Sequence, residues 1–325
     1  MAPDVGGDGI RENPLDAGAG DTVGCGLADS IPTDNLPGLT FTAYHSQAAI
    51  VAYFLSVATA APDVATYVVL GQSPQGRSIP YLIINATCQP SPPAILLVGT
   101  HHGDEWSSTE ATLAHVEYLL RGNPDARALL RTYAFYVLPV LNPDGHAANP
   151  PTRANGRGMD INRDYSYPER GEADSFKERE TQLMKGLQDR VGFKAALTFH
   201  SGSQSVLWPW CYTTEPSPDE DRLSNVGAAA AKAMGFSTYA ASAYDYVTQG
   251  EYIDYAYGKS GTLALTVEVS LAKIPDIATI PAVVANTWKG TLALMNALVF
   301  PHAPLFPVPS RMILHAPRRG NERLE

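Results

Sequence analysis

The chain has 325 residues, of which 45% are apolar and 17% charged, enough for a globular protein of one large domain or two small ones. Its 23 Lys and Arg against 33 Asp and Glu leave a formal net charge of −10, which offers no electrostatic footing on nucleic-acid phosphate or anionic lipid. No apolar run approaches the roughly 20 residues that span a bilayer, so membrane insertion is not expected.

Residues 1–35 are rich in Gly, Asp, Ala and Pro, with almost no large apolar side chains, and read as a disordered linker. The start, MAPDVGGDGI, lacks the charged and apolar regions of a signal peptide. A linker of this kind is typical behind a removed export signal, so a secreted or periplasmic location is expected. Cys25, Cys88 and Cys211 are too few and too far apart for a disulfide scaffold or a thiolate metal site. One bridge with one thiol left over, or three free thiols, both remain open.

The stretch YHSQAAIVAYFLSVA (44–58) has helical apolar spacing, and YVVLG (67–71), IPYLIIN (79–85) and AILLVGT (94–100) read as strands separated by turns. Next comes HHGDEW, after which Ser107 and Glu110 have the spacing of a capping box opening the helix ATLAHVEYLL. Further strands are expected in TYAFYVLPV (132–140), FKAALTFH (193–200) and TLALTVEVS (262–270), with helices in DSFKERETQLMKGLQDR (174–190) and LSNVGAAAAKAM (223–234). The alternation predicts a single α/β domain over 36–302, with a mixed or mostly parallel central sheet flanked by helices and a Pro- and Arg-containing tail at 303–325.

In such sheets, sites gather beyond the carboxyl ends of the strands. That rule picks out His102 and Glu105 after one strand, His200 at the end of a second and Glu268 near the end of a third. A His and a Glu three apart in a tight loop, with a distant His, supply three protein ligands and leave one position open, the pattern of a catalytic zinc site. Taken alone, H-x-x-E is a weak pattern found in many surface loops. Glu268 lies within an otherwise apolar strand, where a carboxylate is costly unless it serves a site.

The segments GQSPQGRSIPYLIIN, HHGDEW, LPVLNPDG, RANGRGMDINRD, TFHSGSQSVLWPW, YDYVTQGEYIDYAYG and LTVEV occur in the order found in zinc metallocarboxypeptidases of the carboxypeptidase A type, which the sequence resembles from about Tyr44 to Leu298. The resemblance implies one zinc per chain, held by His102, Glu105 and His200, with Asp160 hydrogen-bonded behind a ligand histidine and His101 outside the set. It implies Glu268 as general base, Arg153 as stabiliser of the oxyanion, Asn162 and Arg163 as a clamp for the substrate carboxylate, and Tyr246 as a mobile tyrosine closing over the terminus. Neighbouring Tyr244 competes for that last role. Ile253 falls where an apolar residue accompanies apolar specificity, whereas Glu251 nearby would attract Lys or Arg. Asn142–Gly145 reads as a turn, and the tryptophans of LWPW as packing.

Two positions depart from the pattern. Asp104 stands where digestive carboxypeptidases commonly carry Arg, and the family's N-R-N is Asn162-Arg163-Asp164. The HGDE form also resembles peptidoglycan amidases of the same superfamily, and a non-catalytic binding module on this fold is a more distant alternative. The expectation is a monomeric, zinc-dependent exopeptidase that acts on peptides and prefers apolar or aromatic terminal residues.

Overall fold

The computed structural model describes residues 26–31, 35–121 and 124–299. Among them eight strands form one sheet: β1 (Ala65–Gln72), β2 (Ser78–Ile84), β3 (Ala94–Gly99), β4 (Ala134–Leu138), β5 (Ala195–His200), β6 (Ser203–Trp208), β7 (Thr238–Ala241) and β8 (Leu263–Ser270). The spatial order is β1-β2-β4-β3-β5-β8-β6-β7. The central strands β4, β3, β5 and β8 run parallel, β7 is parallel to β6, and the other pairings are antiparallel, so the sheet is mixed.

The helices are α1 (Gln47–Ala60), α2 (Trp106–Leu120), α3 (Pro124–Thr132), α4 (Pro143–His146), α5 (Arg179–Val191), α6 (Glu220–Met234), α7 (Tyr252–Ser260) and α8 (Ile280–Val299). In α1, Ser46 caps the Ala49 N–H, and Ile50, Tyr53, Phe54 and Val57 are buried at the i, i+3, i+4, i+7 spacing of one helical face. Both β3 and β5 are buried along their whole length, as parallel strands covered on two faces must be.

Strand periodicity divides the core in two. Ile95 and Leu97 of β3, Leu197 and Phe199 of β5 and Leu265 and Val267 of β8 join a cluster with α1, α2, α6 and α8. The alternate residues Leu96, Val98, Ala196 and Ala264 join a second cluster with α5 and α7. Alternation therefore assigns His200 and Glu268 to the face covered by α5 and α7.

Several expectations are corrected. Residues 26–31 are not linker: Ala28 and Ile31 are buried, and Arg127 donates to the carbonyls of Ala28 and Asp29. Residues 1–25 and 303–325 lie outside the described residues. The capping box does not form. Ser107 bonds Ser270 and the Lys273 carbonyl, while Glu110 accepts from the His45 backbone and ring, so α2 begins at Trp106 with no side-chain cap. The helix expected over 174–190 starts at Arg179, because the Asp164 carboxylate binds the N–H groups of Lys177 and Glu178. Cys88 is disulfide-bonded and Cys211 is a buried free thiol.

Candidate active site

After β3 the chain turns sharply at Thr100, whose φ of 56° lies in the left-handed region. The first turn of α2 holds it there: the Thr100 N–H donates to Ser108 Oγ at 3.1 Å, and its hydroxyl meets Thr109 Oγ1 at 2.6 Å. The following loop lies tight against residues 142–146, since a Cβ on Gly103 would fall 2.2 Å from the Gly145 carbonyl carbon. Asn142 Nδ2 donates to the carbonyls of both His101 and Arg153 at 3.2 Å. The Asn-Pro-Asp-Gly stretch, expected as a turn, forms the single-turn helix α4 capped by Asn142, and it clips two loops of the site together.

His102, Glu105 and His200 are all buried, and a ligand atom of each lies within 4.8 Å of the others. Glu105 Oε1 is 2.8 Å from His102 Nδ1, and Oε2 is 3.0 Å from His200 Nδ1. The two Nδ1 atoms face each other at 3.2 Å. His102 Nε2 lies 3.2 Å from Asp160 Oδ1, a contact that fixes the ring with Nδ1 turned towards Glu105 and His200. Two imidazole nitrogens and a carboxylate converging in a buried space form a donor set that suits a zinc ion.

Asp160 also accepts from Arg153 Nε at 2.9 Å and from the Asn162 N–H at 2.9 Å. Burial alone would raise the Asp160 carboxyl, but the hydrogen bond and charge of His102, then Arg153 and Arg163, hold it well below the ordinary range. Arg153 Nη1 lies 3.2 Å from His102 Nδ1 and 3.7 Å from Glu105, so its guanidinium borders the donor set. His200 on β5 and Glu268 on β8 are register partners in adjacent parallel strands. Glu268 Oε2 is buried without a hydrogen-bond partner, and burial, followed by the charge of Glu105, raises its carboxyl to about 8.

On another side, Asn162 Oδ1 accepts the Tyr252 N–H at 3.1 Å. Arg163 Nη1 donates to the Asn162 carbonyl at 2.8 Å and to Glu251 Oε1 at 3.2 Å, an ion pair the sequence reading missed. Glu251 also accepts from the Thr248 hydroxyl. The segments meet closely: a Cβ on Gly250, whose φ is 82°, would sit 2.3 Å from the Arg163 carbonyl oxygen. Tyr246 is 60% exposed, and its hydroxyl feels the charges of Arg163, Glu251 and Arg153. Ile253 is buried in the same core cluster as Tyr165, Cys211 and Tyr255.

Both departures from the pattern have local partners. Asp104 Oδ2 accepts from Lys273 Nζ at 2.7 Å, so the ammonium it attracts is the chain's own. Asp164 accepts from two backbone N–H groups and the Thr181 hydroxyl, all donors to which a carboxylate is matched. His101 stands behind the donor set, stacked on His200 at 5.4 Å with Nε2 3.2 Å from the Tyr165 hydroxyl.

Residues 50–290 match the family model described as zinc carboxypeptidase. The chain is 28% identical over 291 residues to zinc carboxypeptidase A 1 of Anopheles gambiae, covering 79% of this chain and 64% of that protein. It is 27% identical over 269 residues to carboxypeptidase B of Astacus astacus, covering 71% of this chain and 88% of the crayfish enzyme. The solved carboxypeptidase A of Helicoverpa armigera has the same fold, with a TM-score of 0.73 at 23% identity over 84% of this chain and 80% of that one. With the family match running through every strand and every donor of the site, the chain belongs to the zinc carboxypeptidase family.

Proposed function

We propose that the protein is a zinc-dependent carboxypeptidase that hydrolyses the last peptide bond of peptides. The observation that carries this reading is the convergence of His102, Glu105 and His200, with Glu268 on the strand next to His200 presenting a buried Oε2 that has no hydrogen-bond partner. When bound by those three residues, zinc supplies a Lewis acid for the scissile carbonyl and acidifies water. Glu268 takes the proton of the attacking water and returns it to the departing amine, a role suited to a carboxyl whose affinity for protons is raised. Arg153, oriented by Asp160, holds positive charge where the carbonyl oxygen becomes negative.

Arg163 and Asn162 receive the terminal carboxylate, since the planar guanidinium fork matches it in two hydrogen bonds. Tyr246, exposed and beside both arginines, closes over it. The engagement of Glu251 by Arg163 and Thr248 favours apolar and aromatic terminal residues, with Ile253 in the pocket wall, over a preference for Lys or Arg. The catalytic unit expected over 36–302 takes in residues 26–31 as well, a reading that the family match at 50–290 and the buried Ala28 and Ile31 support, and it acts as a monomer. A disulfide at Cys88 favours a secreted or periplasmic location. Phenanthroline should abolish release of C-terminal residues and zinc should restore it. Purified muropeptides cut while free-terminus peptides stay intact would replace this reading with the amidase one.

A further inference from the structure

The loop between Arg153 and Asp160 is held by a buried polar brace that the chemistry above does not use. Asn155 is only 4% exposed, and its side chain works in both directions. Its Oδ1 accepts the N–H groups of Arg157 and Met159, each at 3.0 Å, which shapes the loop from within. Its Nδ2 donates to Glu178 Oε2 at 2.8 Å and to Glu180 Oε2 at 3.1 Å, at the start of α5. Both glutamates are buried, and Glu180 Oε1 has no hydrogen-bond partner. Burial, followed by the charges of Asp144 and Glu178, raises the Glu180 carboxyl to about 6, even though the Asn155 amide works the other way.

The far side of the loop is equally confined. The Arg153 carbonyl is bound by Asn142 and by the Gly103 N–H, and a Cβ on Gly156 would lie 2.3 Å from Asp144 Oδ2. Asp164 fastens the same turn of α5 by accepting from Lys177, Glu178 and Thr181. The two ends of this clamped loop are the residues that meet at the metal donors: Arg153 bonds Asp160, and Asp160 bonds His102.

We propose that Asn155, held between Glu178 and Glu180, is a positioning residue that sets where Asp160 meets His102 and Arg153, and so governs both metal affinity and turnover. Asn162 and Arg163 are tied to Asp160 through their N–H groups but have further anchors in the Tyr252 N–H and Glu251, so carboxylate binding should change less than metal binding. The kinetic half of the inference rests on the carboxypeptidase reading, whereas the metal half does not.

The test is a charge swap. Asn155→Asp keeps the oxygens that accept from Arg157 and Met159 but sets a third carboxylate against Glu178 and Glu180. Zinc affinity, read by chelator competition, should fall about tenfold, within the range for residues that orient ligands. The kcat for a free-terminus peptide should fall comparably with KM little changed. Adding Glu180→Gln to that variant returns a donor to the pair, now from the helix side, and should recover most of both quantities. Asn155→Ala, which adds no charge, covers the case in which Asn155→Asp does not fold, and should lower zinc affinity several-fold. Folded single variants with wild-type zinc affinity would overturn the inference, as would a folded double variant without recovery. Wild-type protein that binds zinc but releases no terminal residue would sink the carboxypeptidase reading, and zinc affinity across the variants would still decide this one.

Discussion

Replacing Arg163 by Ala should affect recognition and folding through different partners, and the two effects are separable. The guanidinium is fixed before substrate arrives, with Nη1 bonded to the Asn162 carbonyl and to Glu251. If it binds the substrate carboxylate as proposed, removing it deletes a charge-assisted contact, a loss of about 1.5–3 kcal/mol, or roughly ten- to a hundredfold in kcat/KM. It also leaves the buried Glu251 carboxylate with Thr248 but no cation, which should lower the unfolding free energy by about 1–3 kcal/mol. Adding Glu251→Gln should restore most of the stability and none of the recognition. The assay compares one peptide as free acid and as C-terminal amide. Wild type should favour the acid at least tenfold, whereas Arg163→Ala and the double variant should treat both alike. If discrimination survives in Arg163→Ala, or returns with Glu251→Gln, Arg163 does not bind the terminus.

Three further outcomes are expected. His102→Ala, Glu105→Ala and His200→Ala should each lose tightly bound zinc on dialysis, since two remaining ligands compete poorly with water; stoichiometric metal in all three would refute the donor set. Glu268→Gln should keep zinc and its melting temperature but lose roughly 10²–10⁴-fold in kcat, and near-normal turnover would mean that another group is the base. Stability should decline as pH falls from about 6.5 towards 4, because the buried His115 ring, bonded to the Ala111 carbonyl and the Thr291 hydroxyl, has its protonation pushed down to about 4 by burial. The folded state there binds fewer protons than the unfolded chain, so the contribution, up to about 3 kcal/mol, is complete above 6.5 and lost on acidification. Urea titrations of wild type and His115→Gln should differ in slope over that window, and identical pH profiles would count against the assignment.

The central strands were legible because β3, β5 and β8 are mostly apolar and buried, and His102 just beyond β3, His200 at the end of β5 and Glu268 within β8 stand out against those runs. The edge of the sheet was not. In β6, Ser203, Gln204 and Ser205 precede the apolar part, and β7 has four residues, so neither carries enough periodicity to stand out. The capping box misled because Glu110, at the right spacing, is taken by His45 from a segment 65 residues earlier. The ion pairs Arg163–Glu251 and Asp104–Lys273 join residues 88 and 169 positions apart, a pairing that only the fold specifies. Asp104 illustrates the consequence: the sequence shows an acid beside the donors, and only the tertiary contact shows that Lys273 neutralises it.

Whether His102, Glu105, His200 and Glu268 form a zinc-dependent exopeptidase centre is decided by digesting a mixed peptide library and reading the products by mass spectrometry. Products should shorten one residue at a time from the carboxyl end, apolar and aromatic residues leaving first, with amidated peptides spared and all release stopped by phenanthroline. Internal cleavage, strict release of acidic residues, or release that persists without metal would contradict that assignment.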